Sequence, residues 1–292
     1  MEIVVFGAGS LGSLVGGLCA REHRVTLVGR DPHIRAVRDS GLHVGGAFDF
    51  TVRPAARTDP PPAADLALVT VKAFDTDDAA RALADCDLDT VCSLQNGLGN
   101  EEALATHLDG VLAGTCTYGA RFVEPGRIDC TGIGEVALGT PDGGRSARAE
   151  RVGRALRAAG IETTVADDMP RRLWKKLAVN AGINPTTALA RVENGALAAD
   201  PLHGIACEAA RETARVAREQ GIDLGDGEAA AALDAVVGAT AANSSSMLQD
   251  VRAGRRTEID AISGAVVDRA SSPVPVSQTL AGLVRAWETA ER

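Results

Sequence analysis

Lysine is almost missing from this chain. It stands at only three of 292 positions, Lys72, Lys175 and Lys176, and every other basic side chain is arginine. A drift to arginine, from a GC-rich genome or a salt-rich cytoplasm, explains the bias but not the places where lysine is kept. A buried lysine can give up its proton near neutral pH and an arginine cannot, so those places are where to look for proton chemistry. Aromatic residues are also scarce, at 3%. With 45% of residues hydrophobic, the core must be built from Ala, Val and Leu. The six cysteines are scattered, with no Cys-x-x-Cys pair and no nearby histidine to complete a zinc pattern. Free thiols in a reducing cytoplasm, and no metal centre, are the expectation. No apolar run approaches the ~20 residues that span a membrane. Glu2 to Phe6 reads directly as a strand, so a basic signal-peptide leader is not expected. A formal charge of -9 argues against a protein that grips nucleic acid through its bulk charge.

What is present falls into two halves. Apolar runs at 2–6, 24–28, 66–71, 90–94 and 111–118 read as buried strands. Helical spacing lies between several of them, around 10–20, 75–85 and 100–107. That alternation marks a parallel sheet with crossover helices. The stretch from Gly126 to Thr140 reads as a hairpin turning near Gly132-Ile133-Gly134, followed by a helix near 145–159 and a short strand near 161–165. From Met169 the pattern is helical, over 169–181, 186–191, about 201–220, 226–242, 246–252 and 256–270. The expected fold is therefore an α/β Rossmann-type domain over 1–167, followed by an all-α domain over 168–292.

The first strand runs into Gly7-Ala8-Gly9-Ser10-Leu11-Gly12. Alone, a Gly-x-Gly-x-x-Gly string says little. Here it follows a strand and opens a helix, the context of a dinucleotide fingerprint. Gly7 permits the tight turn, Gly9 lets backbone approach a pyrophosphate, and Gly12 lets helix and strand pack closely. The helix N-terminus supplies N–H donors to the phosphates. Arg30 follows the second strand, near the expected spacing of about 20 from the motif, and suits a 2′-phosphate better than the usual acid does. NADPH is the expected cofactor, although Asp31 beside it is able to make the opposite choice. Lys72 and Asn96 end two further strands and should face the same crevice.

In the helical half, Lys176, Asn180 and Asn184 are spaced by four and form a polar stripe while the helix lasts. Pro185 should bar it from continuing past Asn184. An ammonium followed by two carboxamides can hold a keto acid that carries a hydroxyl. Asn243-Ser244-Ser245-Ser246 precedes an apolar run. It reads equally as a helix cap and as a carboxylate site.

In this order the motifs resemble the ketopantoate reductase family, over nearly the whole chain. Leu-Trp-Lys-Lys-Leu-Ala-Val-Asn from Leu173, Ser-Ser-Met-Leu-Gln-Asp from Ser245 and Thr-Glu-Ile-Asp from Thr257 carry the likeness more than the glycines do. The resemblance implies a Rossmann domain, a helical domain and an active site in the cleft between them, which closes on its ligands. It implies Lys176 as the catalytic general acid and Glu258 as an acid contacting cofactor or substrate. It implies Asn180, Asn184 and Ser246 as substrate ligands, joined by Asn194 and by Asn243, Ser244 and Ser245. Arg30, Lys72, Asn96 and Ala120 match cofactor contacts. The implied reaction is NADPH-dependent reduction of 2-dehydropantoate to (R)-pantoate, in pantothenate and coenzyme A biosynthesis. The expected partner is therefore a small 2-keto acid, with a homodimer as the candidate assembly. Two other readings stay open: a reductase of the same architecture for another 2-keto acid, and a non-catalytic NADP(H) sensor.

Overall fold

Strands buried on both faces need apolar side chains at every position, and the runs at the start of the chain supply them. In the computed structural model, which describes residues 1–290, the chain divides into two compact units. The first comprises Met1–Gln95 and Asn100–Met169; the second comprises Asn96–Gly99 and the chain from Pro170 onward.

The first unit runs β1 (Glu2–Phe6), α1 (Ser10–Cys19), β2 (Arg24–Val28), α2 (His33–Ser40), β3 (Leu42–Gly46), β4 (Phe50–Val52), β5 (Ala55–Arg57), β6 (Ala63–Ala64) and β7 (Leu66–Val69). It continues α3 (Thr76–Leu83), β8 (Asp87–Leu88), β9 (Val91–Ser93), α4 (Asn100–Ala105), β10 (Val111–Cys116), β11 (Gly119–Glu124), β12 (Arg127–Gly132), β13 (Val136–Gly139), α5 (Ala147–Ala158) and β14 (Thr163–Val165). The main sheet has eight strands in the order β14-β13-β10-β9-β7-β1-β2-β5. All neighbours are parallel except β10 and β13. Side chains alternate across it. Ile3, Val5, Leu27, Leu66 and Leu68 pack with Leu14, Val15 and Leu18 of α1. Val4, Val28, Ala67 and Val69 pack on the other face with Ala79, Ala80 and Leu83 of α3 and Leu104 of α4. The strand order reverses between β1 and β7, so the crevice at their carboxyl ends is the place for a ligand.

A second sheet, β11-β12-β3-β4, was not legible as such in the sequence. Its strands are short or exposed, so they lack a continuous apolar run. The hairpin joins β11 to β12 and turns at Pro125-Gly126, not near Gly132. Proline pre-sets the first corner, and Gly126, with φ of 82°, takes the left-handed second corner. The segment Gly132 to Gly134 instead leads the chain to β13 in the main sheet.

The second unit is built on α6 (Met169–Ala190), α7 (Leu202–Glu219), α8 (Asp226–Ala239), α9 (Ser246–Arg252), α10 (Ala265–Arg269) and α11 (Pro275–Ala290). Trp174, Leu177, Ala181, Leu197, Ala210, Leu233, Met247 and Ile262 are among its core residues. The expected break at Pro185 is absent: α6 runs unbroken through it for 22 residues. An interior proline costs about 3 kcal/mol. Residues 181–188 are all buried, and that packing outweighs the lost hydrogen bond. The helix ends where Arg191 takes a left-handed φ of 57° and the Val192 N–H bonds back to the Thr187 carbonyl. The helix expected over 256–270 is shorter than that. It opens as a π-helical turn, Asp260–Gly264, where the Gly264 N–H reaches the Ile259 carbonyl at 2.9 Å. The last helix, α11, was not expected from the sequence, and it begins at Pro275. At the first position of a helix proline has no N–H to waste and is favoured. No helix of the described residues is long and apolar enough to cross a membrane.

Candidate active site

The glycine loop sits at the reversal point of the sheet. Gly7 has φ of 110°, and a Cβ there would lie 2.5 Å from the Val71 amide nitrogen. A Cβ on Gly12 would collide with the Gly7 carbonyl and the Thr70 hydroxyl. The Thr70 hydroxyl donates to the Gly7 carbonyl at 2.9 Å and so locks the loop after β1 to the end of β7. These two glycines are demanded by the protein itself. Gly9 is different. It is exposed, its φ of -84° suits any residue, and a Cβ on it meets nothing nearer than the Gly7 carbonyl at 4.0 Å. The fold does not need glycine there, whereas a pyrophosphate lying on that backbone does.

The donors such an anion requires are present. The N–H groups of Gly7 and Ala8 bond to the Val28 carbonyl, and that of Ser13 to the Gly9 carbonyl. Those of Ser10, Leu11 and Gly12 have no acceptor among the described residues. No side chain caps α1 and no acid lies in its first turn. Three unpaired donors at the positive end of a helix, beside an open glycine, fit a dinucleotide pyrophosphate.

Around this loop, Arg30 is exposed beyond the end of β2 and its guanidinium has no partner among the described residues. Asp31 is held by Arg35 at 2.9 Å. Lys72 is half-buried in the turn after β7. The missed member of this group is Gln95, whose amide donates to the Val71 carbonyl at 3.1 Å and the Thr76 hydroxyl at 2.7 Å. It braces the two strand ends that carry Lys72 and Asn96. Ala120 lies on β11, half-buried in the smaller sheet, and its methyl can offer a ligand no hydrogen bond.

In the second unit, unbroken α6 keeps Lys176, Asn180 and Asn184 in one row at every fourth residue. Lys176 and Asn180 are half-buried and Asn184 is buried. Neither carboxamide has a hydrogen-bond partner among the described residues. The adjacent lysine has another task. Lys175 pairs with Glu228 at 3.2 Å, and Arg171 joins them at 2.6 Å. Burial alone pushes the Glu228 carboxyl up, but Lys175 and Arg171 outweigh it and hold it below the usual carboxylate range. The row continues to Thr187, which sequence reasoning missed. Its hydroxyl lies 2.7 Å from that of Ser245.

That contact links α6 to the serine cluster and decides what each serine can do. Ser245 caps α9 by accepting from the Leu248 N–H at 3.1 Å, so its hydroxyl is committed to the protein. Ser244 accepts from Arg252 at 2.8 Å. Ser246, exposed, and Asn243, half-buried, have side chains without partners among the described residues. Asn194 is buried and donates to the Thr240 hydroxyl at 2.9 Å, while its side-chain carbonyl oxygen has no partner among the described residues. Its backbone N–H bonds to the Asn243 carbonyl, tying the two asparagines together.

Glu258 is buried, and the Asn96 amide lies 3.4 Å from its carboxylate. The two are 162 residues apart in sequence. Asn96 opens the short segment that belongs with the helices rather than with the sheet. In that segment Gly97, at φ of 87°, lies against Ala261, and the Leu98 N–H bonds to the Ala261 carbonyl. Three of the cysteines are poor candidates for a thiol nucleophile. Burial pushes Cys19 up to about 12 and raises Cys92 and Cys130 as well.

Family comparison matches both units. The description "Ketopantoate reductase PanE/ApbA" fits residues 3–143, and its C-terminal counterpart fits residues 168–288. The chain belongs to the ketopantoate reductase family. Among its relatives, the 2-dehydropantoate 2-reductase of Halobacterium salinarum is 45% identical, covering 98% of each chain. That of Archaeoglobus fulgidus is 40% identical over 99% of this chain and 98% of its own. A crystal structure of a family member from Ralstonia eutropha JMP134 superposes with a TM-score of 0.91 at 31% identity, over 100% of this chain and 99% of that one. D-mandelate dehydrogenase with NADH and anilino(oxo)acetate shares the fold, with a TM-score of 0.93 at 24% identity over 100% and 99% of the two chains.

Proposed function

We propose that this ketopantoate reductase family member reduces 2-dehydropantoate to (R)-pantoate with NADPH, on the route to pantothenate and coenzyme A. The observation that carries the reading is the row Lys176, Asn180 and Asn184, a cation and two unpartnered carboxamides on one face of a buried helix. Relatives covering the whole chain bear the name 2-dehydropantoate 2-reductase.

In this mechanism the glycine loop and the N–H groups of Ser10, Leu11 and Gly12 hold the pyrophosphate. Arg30 holds the 2′-phosphate; because Asp31 is occupied by Arg35, it does not compete for the ribose. Lys72 adds positive charge beside the phosphates. When bound, the reduced nicotinamide supplies a hydride to C2 of the keto acid. Electron density then moves onto the carbonyl oxygen, where the Lys176 ammonium stabilises it and delivers the proton. Asn180 and Asn184 fix the keto acid by hydrogen bonds, with the unpaired carbonyl oxygen of Asn194 available to accept from its hydroxyl. Ser246 and Asn243 hold its carboxylate, and Ser244 and Ser245 shape the turn that presents them. Glu258, with Asn96 beside it, orients a hydroxyl of substrate or ribose.

The test follows NADPH absorbance with purified protein and 2-dehydropantoate, with NADH and a panel of other 2-keto acids alongside. The expected result is rapid oxidation with that substrate and that cofactor. Faster turnover of another 2-keto acid would move the substrate; tight NADPH binding with no turnover would leave a sensor. Arg30→Ala should lower kcat/KM with NADPH about 10-fold or more, the worth of a charge-assisted hydrogen bond, and change the NADH value little. Equal loss with both cofactors would remove Arg30 from the 2′-phosphate.

A further inference from the structure

Away from the residues of the proposed reduction, three side chains of different chemistry converge. His203 and Cys207 stand one turn apart near the start of α7, and Asp234 reaches them from α8. The His203 Nε2 lies 2.9 Å from an Asp234 carboxylate oxygen and 3.3 Å from the Cys207 Sγ. All three candidate ligand atoms fall within 4.8 Å of one another, and no other such group of His, Cys, Asp and Glu occurs among the described residues. From the sequence, a scattered cysteine and a histidine four residues before it gave no zinc spacing. The third member comes only with the fold.

We propose that His203, Cys207 and Asp234 bind a divalent transition-metal ion of the zinc class, with three protein ligands and a fourth position open to water. The geometry distinguishes this from a hydrogen-bonded Cys–His–Asp relay. In a relay the acid and the thiol use opposite nitrogens of the imidazole, so that a proton can pass through the ring. Here both face the same nitrogen, and the Cys207 Sγ is farther, at 4.0 Å, from the Nδ1. One nitrogen cannot donate to the acid and accept from the thiol at once. It can share one metal ion with both. With zinc–nitrogen and zinc–sulfur bonds of about 2.0 and 2.3 Å, tetrahedral ligands lie about 3.5 Å apart. The two separations from the imidazole nitrogen, 2.9 and 3.3 Å, are already close to that.

The electrostatics agree. An ionised thiol and carboxylate this close repel each other, and a dication between them turns that repulsion into attraction. Binding therefore releases the thiol proton to solvent as the metal–thiolate bond forms. A nitrogen, a sulfur and a carboxylate oxygen form a borderline donor set that suits zinc and its cobalt surrogate, not calcium or magnesium. Cys207 is buried, whereas the side chains of His203 and Asp234 are 38% and 54% exposed, so an ion enters and keeps its water from that side. Because the ligands come from two helices, the ion fastens α7 to α8.

The full-length protein, stripped with chelator, is titrated with cobalt(II) while its absorbance is followed. The expected result is one equivalent bound with a thiolate-to-cobalt charge-transfer band and visible bands of tetrahedral intensity, bleached by zinc. Cys207→Ser should abolish the charge-transfer band, and His203→Ala and Asp234→Asn should each weaken binding by at least about ten-fold. Zinc should raise the melting temperature of the wild-type protein and not that of His203→Ala. The two helix-surface variants keep the test decisive should Cys207→Ser fold poorly. Cooperative thermal unfolding of every variant reports on folding. Absence of the band, its persistence in Cys207→Ser, or unchanged affinity in both His203→Ala and Asp234→Asn would overturn the site.

Discussion

The two ends of this reductase are built from opposite materials. The proposed dinucleotide end is made of missing side chains: Gly7, Gly9 and Gly12 leave room, and the groups it offers are the backbone N–H groups of Ser10, Leu11 and Gly12. The proposed keto-acid end is made of side chains carried by one long helix, Lys176, Asn180 and Asn184. Backbone recognition depends on a local turn, so it is written in a few consecutive residues. Side-chain recognition depends on which face of a long helix is presented and on what packs behind it. The first kind of site survives most substitutions around it and fails on the addition of one carbon. The second fails when one functional group is lost, although its helix persists.

The widest separation between the two ends should come from Lys176→Ala. It should lower kcat by about two to four orders of magnitude, the usual worth of a positioned proton donor, and leave NADPH affinity near normal. Rapid-mixing kinetics with parallel fluorescence titration of NADPH measures both. A variant with near-normal turnover would take the proton away from Lys176.

Within the dinucleotide end, Gly12→Ala and Gly9→Ala should part company. The added methyl at Gly12 meets the Gly7 carbonyl and the Thr70 hydroxyl, so overpacking should cost about 1–3 kcal/mol in thermal unfolding. At Gly9 the methyl has open space, so unfolding should shift by no more than about 0.5 kcal/mol, as for ordinary surface changes. NADPH binding to the Gly9 variant should nonetheless fall about 10-fold or more, the loss of one good phosphate contact. Unchanged binding there would mean the pyrophosphate lies elsewhere.

The smallest effect concerns how the first unit is held together. His33 is buried, the Gly126 N–H donates to its Nδ1 at 3.0 Å, and its Nε2 therefore carries the proton facing the Ser13 hydroxyl at 2.9 Å. Burial holds its pKa below the ordinary 6.5. Its contribution is thus complete above pH 6.5 and is lost as the pH falls from there through the lowered value, because the unfolded chain binds the proton first. Denaturant unfolding between pH 7 and pH 5 should show this loss, and His33→Gln should flatten it. An identical slope in the variant would assign the pH dependence to other groups.

Local order made much of the fold readable. Double-sided burial turns strands such as β1, β2 and β7 into unbroken apolar runs, and the glycine string marks the turn into α1. The strands of the smaller sheet were not legible because they are short, β11 is mostly exposed, and none has a period long enough to count. Pro185 misled for a different reason. Its rule describes a local cost, and the burial that outweighs that cost comes from residues distant in sequence, such as Leu233 and Met247.

By itself, then, the sequence determined the strands buried on both faces, most of the helices, the family, the glycine loop and the four-residue rhythm of Lys176, Asn180 and Asn184, because these depend on neighbours within a turn or two. Only the tertiary structure decided that Asn96 meets Glu258, that Thr187 fastens α6 to the cap at Ser245, and that Asp234 joins His203 and Cys207. Each of those contacts spans at least 27 residues, and its partner is chosen by the packing of whole helices, for which no short stretch of sequence carries the signal.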